Sequence, residues 1–228
     1  MSFHFFDLVY WSRAIFGFNI DPQIDIMFIM GIIALTSTGM SAPLVAQKIH
    51  EIISQGNLKS VAIITTASDG KEENKYSRLA LNQFKQLKLK KIDFVDIEFK
   101  PVDFSTYDII YVCGGNTFKL LKFAKSNNFK DAIVSLLDRG GMYIGVSAGS
   151  CILAPTITAA ATIEPDPNDI GLTDWTGLGI IDFEVHPHYS PEEADAIHAY
   201  EQETDRKVKT LTDDQAILLE NNKLNLIG

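Results

Sequence analysis

Cysteine is scarce in this 228-residue chain: only Cys113 and Cys151 occur. Two cysteines make no disulfide framework, so a reducing, cytoplasmic setting is expected. Neither C-x-x-C nor H-E-x-x-H is present, which leaves no metal-ligand spacing, and no metal or other cofactor is expected. Basic residues are also short: 20 Lys and Arg stand against 29 Asp and Glu, a net charge of -9. Phosphate backbones are bound through a basic footprint, so a nucleic-acid partner is disfavoured. The apolar run Met27 to Leu35 is far too short to span a bilayer, so no membrane partner is expected. It also lacks the basic leader of a secretory signal, since only Arg13 precedes it. The dinucleotide fingerprint G-x-G-x-x-G and the Walker A pattern are both missing.

What remains is the composition of a globular protein, 46% hydrophobic and 21% charged. Its length suits one α/β domain with a sizeable core. Apolar runs at Met27–Leu35, Val61–Thr65, Phe94–Ile97, Asp108–Cys113 and Met142–Val146 read as strands. Between them, helices are predicted from Ser41 to Gly56, over 72–88, from Phe118 to about Lys125 and from Phe129 to Leu137. Ser41 is the expected cap of the first, with Pro43 in its first turn. Tyr76, Leu79, Leu81, Phe84 and Leu87 form the apolar face of the second. Strands apolar on both faces, alternating with helices, imply a mostly parallel sheet covered on both sides. Downstream, Ala159–Gly177 reads as a long loop and Leu178–Val185 as a strand. Ser190-Pro191 opens an acidic helix to about Arg206, and late strands are expected over Thr210–Leu219 and Lys223–Ile227. The domain is taken as 27–228, with 1–26 as an extension and Met27 or Met30 as an alternative start.

The most telling stretch is Gly145-Val-Ser-Ala-Gly149, which follows an apolar strand and opens a helix-forming segment, Ser150 to Leu153. This is the strand–turn–helix setting of a G-x-S-x-G nucleophile elbow. Small flanking residues let strand and helix approach closely around a strained nucleophile. The turn leaves the Ala148 amide free at a helix N-terminus, where an oxyanion can be held.

A serine hydroxyl needs a general base within reach. His186 and His188 follow a strand end, where ligands bind in open α/β sheets. His188 is favoured, with His186 as the alternative. The base needs an orienting carboxylate. Asp213 and Asp214 lie in a turn before a late strand, and Asp182, Glu184, Asp166 and Asp169 compete with them. A second oxyanion donor is expected from Gly114-Gly115-Asn116-Thr117, which follows a strand and opens a helix.

Three blocks together carry a family resemblance. Tyr111-Val-Cys-Gly-Gly-Asn-Thr-Phe-Lys-Leu-Leu121, Tyr143-Ile-Gly-Val-Ser-Ala-Gly149 with Ala154-Pro-Thr-Ile157, and Pro187-His-Tyr189 resemble the aspartyl dipeptidase (dipeptidase E) and cyanophycinase family of serine peptidases. The resemblance runs from about Gly31 to the end. It implies a single-domain α/β fold of the class I glutamine-amidotransferase-like type, with flavodoxin-like layering. It further implies Ser147 as nucleophile, His188 as base and Asp213 as acid, where the family typically has Glu. Gly115 and Ala148 amides are the implied oxyanion donors, with Asn116 and Thr117 as candidate substrate contacts.

The expected activity is hydrolysis of short peptides by a serine exopeptidase through an acyl-enzyme. A homodimer is left open. The family's dipeptidases place Arg soon after the catalytic His to bind an aspartyl side chain. Ser190 to Tyr200 contains no Arg or Lys, so specificity for N-terminal Asp does not carry over with the resemblance. The alternatives are a noncatalytic small-molecule or partner-binding module on the same fold, or a cyanophycinase-like hydrolase of β-aspartyl dipeptides. Amidotransfer is disfavoured because those enzymes use Cys at the elbow. Cys151 is expected to be buried packing.

Overall fold

A computed structural model describes residues 30–99, 102–163, 165–221 and 223–228. The proposed extension over residues 1–26 therefore lies outside the described residues, as does the first part of the Met27–Leu35 run. The central sheet has seven strands in the order β3-β2-β4-β5-β1-β8-β9. These are β1 (Ile32–Thr36), β2 (Ser60–Ile64), β3 (Lys91–Val95), β4 (Ile109–Val112), β5 (Met142–Val146), β8 (Ala216–Glu220) and β9 (Lys223–Ile227). The first five pair in parallel. β8 runs antiparallel to β1, and β9 antiparallel to β8. The expected mostly parallel α/β fold is the observed one.

Side chains alternate across each strand, and both faces are dry. On one face Ile33, Leu35, Ala62, Ile64, Ile110, Val112 and Tyr143 join a core with helices α3 (Thr117–Ser126), α4 (Phe129–Asp138) and α5 (Ala148–Cys151). On the other, Ala34, Val61, Ile63, Ile109, Tyr111, Met142 and Ile144 pack against α1 (Pro43–Gln55) and α2 (Lys75–Gln86). This double burial explains why the strands read as unbroken apolar runs. α1 buries Val45, Ile49 and Ile53, a four-residue spacing that sets one stripe on the sheet.

Several local expectations shift. Ser41 does not cap α1: the N-cap is Ala42, without a side-chain bond, and Pro43 holds the first turn. α2 is shorter than expected, and a 3₁₀ turn at Lys71–Glu73 precedes it. Its predicted apolar face divides. Phe84 is buried, but Tyr76 and Leu79 are exposed. The long loop contains a short helix, α6 (Thr158–Thr162).

The expected strand Leu178–Val185 is mostly irregular. The Leu178 and Ile180 amides donate to carbonyls of Ile152 and Leu153 instead of joining a sheet. Only β6 (Glu184–His186) is extended and paired, in a two-stranded parallel sheet with β7 (Val208–Thr210). The acidic helix α7 (Ala194–Thr204) follows a 3₁₀ turn at Pro191–Glu193. Ser190 and Glu193 form a reciprocal capping box there.

Candidate active site

Three loops meet at the carboxyl ends of β1, β4 and β5, the edge where ligands bind in open α/β sheets. β5 ends directly in Ser147, whose backbone takes φ 49° and ψ -110°. A non-glycine residue there is strained by about 1–3 kcal/mol, and such strain persists only where the surroundings over-determine it. The surroundings do so. The Ser147 amide donates to the Thr36 carbonyl at 2.8 Å. Tyr143 Oη donates to the Gly149 carbonyl at 2.7 Å. The buried Ser150 hydroxyl accepts from the Thr36 amide at 2.9 Å and lies within 3.0 Å of the Thr36 and Gly145 carbonyls. Gly145 is required by close approach: a Cβ there would sit 2.6 Å from the Gly149 carbonyl oxygen.

Ser147, His188 and Asp213 line one cleft of about 500 Å³. His188 Nδ1 lies 2.7 Å from Asp213 Oδ1. An ionised carboxylate only accepts, so Nδ1 is the donor in this contact, and in the neutral ring that tautomer leaves Nε2 as the acceptor. The side chains of His188 and Asp213 are 46% and 65% exposed. Solvent screens such a pair, so its main effect is orientation of the ring rather than stability. Among the described residues, neither Ser147 Oγ nor His188 Nε2 has a hydrogen-bond partner. In the absence of substrate such contacts are commonly long.

The two histidines diverge. His188 has φ 59°, so the segment does not stay extended past Pro187. His186 turns inward instead. It is 3% exposed, and its Nε2 lies 2.8 Å from Glu193 Oε1. The other carboxylates also have separate duties. Glu184 is buried and accepts from the Ala159 amide and Tyr200 Oη. Asp166 accepts from the Thr117 amide. Asp182, Asp169 and Asp214 are exposed, and none lines the cleft.

The β4 loop brings Gly114 and Gly115 against Ser147. A Cβ on Gly114 would lie 3.1 Å from Ser147 Cβ. Gly115 has φ 136°, and a Cβ there would strike the Ala67 carbonyl oxygen at 2.1 Å, so only glycine fits. Among the described residues, neither the Gly115 nor the Ala148 amide has an acceptor. Ala148 is 1% exposed and is not itself in the cleft lining, although its amide directly follows Ser147, which is. A buried N–H left unpaired is costly and leaves a donor available to an anion.

Asn116 and Thr117 are not in the cleft lining. The Asn116 side chain caps α3, accepting from the Lys119 amide, and donates to the Pro167 carbonyl. Thr117 is buried beneath the long loop through its bond to Asp166. The remaining lining includes Ser68, Asp69, Tyr76, Leu79, Tyr111 and Cys113. Sequence reading missed Asp69, and it placed Tyr76 and Leu79 on the apolar face of a helix, where apolar helical spacing does not distinguish a core from a cleft wall.

Burial pushes the Cys113 thiol up to about 11 and the Tyr111 phenol well above its ordinary value, so both are neutral near pH 7. Cys151 is buried, donates to the Val185 carbonyl at 3.5 Å, and is pushed up to about 12 by burial. It is inert packing rather than a nucleophile.

Among the described lining residues there is no Lys or Arg. Lys71 and Lys119, on neighbouring segments, are tied to acids: Lys71 lies 2.7 Å from Asp96, and Lys119 lies 3.3 Å from Glu98. Among the described residues, no group of three or more His, Cys, Asp or Glu side chains is placed to hold a metal ion. No helix there is long and apolar enough to cross a membrane.

Comparison with known proteins gives a consistent picture. The model of peptidase family S51 matches residues 32–227. An uncharacterized peptidase of Listeria monocytogenes is 33% identical over 137 residues, covering 58% of this chain and 66% of its own length. Peptidase E of Citrobacter koseri is 35% identical over 86 residues, covering 36% of this chain and 34% of its own. The chain thus spans about two thirds of the first relative and about one third of the second. A crystal structure of a candidate peptidase E protein from Listeria monocytogenes EGD-e superposes with a TM-score of 0.70 at 26% identity, covering 86% of this chain and 97% of that one.

Proposed function

Since the chain belongs to peptidase family S51, we propose that it is a serine exopeptidase that hydrolyses short peptides through Ser147, His188 and Asp213. The observation that carries this reading is the convergence in one cleft of a strained serine and an imidazole held at 2.7 Å by a carboxylate. His188 Nε2 takes the Ser147 proton as Oγ attacks the scissile carbonyl. The tetrahedral oxyanion is held by the amides of Gly115 and Ala148, each worth about 3–4 kcal/mol in comparable sites. His188 then protonates the leaving amine, and water attacks the acyl-enzyme by the same route in reverse. Asp213 keeps the imidazole in the reactive tautomer throughout.

The lining also bears on the substrate. Asp69 and Asp213 place two carboxylates in the cleft, and the described lining offers no cation against an acidic side chain. Dipeptides with N-terminal Ala or Lys are expected to be turned over at higher kcat/KM than Asp-X or β-aspartyl dipeptides. The margin is at least about fivefold, the factor given by about 1 kcal/mol of like-charge repulsion at an exposed site. A dipeptide library screen measures this. Asp-X substrates leading the series would refute the specificity while leaving the peptidase reading intact.

A further inference from the structure

The tripeptide Thr36-Ser37-Thr38, at the end of β1, reaches all three residues of the site, one bond for each. The Thr36 carbonyl accepts from the Ser147 amide at 2.8 Å. Ser37 Oγ accepts from the His188 amide at 3.1 Å. Thr38 Oγ1 donates to the Asp213 carbonyl at 2.7 Å. Ser37 also spends its single proton on the Leu211 carbonyl at 2.9 Å, two residues before Asp213. Every one of these contacts joins segments more than 100 residues apart in the chain.

The geometry shows why a fixture is needed at this point. Ser147 rides on the central sheet, whereas His188 follows β6 of the small second sheet. Asp213 sits in the turn between β7 and β8. The His188–Asp213 pair is exposed to solvent, so packing alone does little to fix it. His188 also takes the left-handed conformation, φ 59°, an uncommon one for a residue with a Cβ. The bond from its amide to Ser37 fixes that conformation together with the Tyr189 amide bond to the Leu211 carbonyl and the ring contact with Asp213. Ser37 itself is 1% exposed, with both donor and acceptor capacity in use.

We propose that Ser37 and Thr38 are positioning residues for the hydrolytic reaction, setting the distance between the imidazole–carboxylate pair and the serine hydroxyl. The proposal rests on the peptidase reading above. Both residues border the cleft, so the rival role is direct substrate contact. The two roles separate kinetically. Loss of positioning lowers kcat with KM little changed, whereas loss of a uniform substrate contact raises KM.

The test uses Ser37→Ala, Thr38→Val and Thr38→Ser in the full chain, with Ser147→Ala run alongside. Each is assayed for kcat and KM on the best dipeptide and for melting temperature. Ser37→Ala is expected to lower kcat by about 10- to 100-fold, the scale of a sub-ångström to ångström misplacement. Thr38→Val is expected to lose about tenfold, while Thr38→Ser, which keeps the hydroxyl, stays within about twofold of wild type. If Ser37→Ala fails to fold, the Thr38 pair decides alone.

Raised KM at unchanged kcat, or equal damage in Thr38→Ser and Thr38→Val, overturns the positioning role. So do unchanged kinetics in Ser37→Ala and Thr38→Val while activity still depends on Ser147. Hydrolysis that survives in Ser147→Ala is a different failure: the peptidase reading falls, and this proposal with it.

Discussion

The Ser147→Ala variant is expected to lose dipeptide turnover by on the order of 10⁴- to 10⁶-fold, the range set by removing the nucleophile of a Ser-His-acid unit. The fold should not change. Alanine keeps the Cβ and the backbone strain of φ 49°, and the hydroxyl it removes has no partner among the described residues. The amide bond to Thr36, which anchors the turn, is untouched. A melting temperature within a few degrees of wild type, together with lost turnover, is the expected pair of results. Residual activity within about tenfold of wild type would place the nucleophile elsewhere.

The second large effect separates the two histidines. His188→Ala is expected to lower kcat by on the order of 10⁴-fold or more, with little change in stability, because the ring is 46% exposed and its hydrogen bond to Asp213 is open to solvent. His186→Ala should behave in the opposite way. Its ring is buried against Glu193 at 2.8 Å, and losing it leaves a carboxylate short of a partner. The expected cost is about 1–3 kcal/mol of stability and a modest loss of kcat. Burial already works against ionisation of Glu193. Bonds from Ser190 and His186 more than offset it, so the acid sits below its ordinary range. A larger kcat loss in His186→Ala than in His188→Ala, at equal folded fraction, contradicts the assignment.

The contrast between these histidines also shows what the sequence could and could not convey. The strand Met142–Val146 and the turn into Ser147 were legible because the information is local: an apolar run, small residues where backbones touch, and a helix start. The parallel layering followed from strands apolar on both faces. Residue type and spacing do not separate His186 from His188, and the preference for His188 leans on the family resemblance; the physical difference is a positive φ at position 188, held by bonds to the distant Ser37, Leu211 and Asp213. In the same way, residue type does not separate Asp213 from Asp214, which the family resemblance alone distinguished; in the structure the bond from Thr38 and the contact with His188 set Asp213 apart.

Two misreadings share a physical cause. Leu178–Phe183 is apolar enough for a strand, but its amides are taken by carbonyls of the segment following the elbow, and hydrophobicity alone does not specify a bonding partner. Tyr76 and Leu79 fall on the apolar stripe of α2, yet they wall the cleft. Periodicity reports that a face is apolar, not whether protein or substrate covers it. Asn116 and Thr117 illustrate the converse: polar residues beside a glycine turn serve as helix cap and loop anchor.

The account depends on Ser147 Oγ being a nucleophile activated by His188. Intact-protein mass spectrometry after reaction with a fluorophosphonate, followed by peptide mapping, tests this most directly. One adduct per chain is expected, located on Ser147, absent in Ser147→Ala and formed far more slowly in His188→Ala. No adduct on the folded wild-type chain, or an adduct on another residue at the same rate in Ser147→Ala, would contradict it.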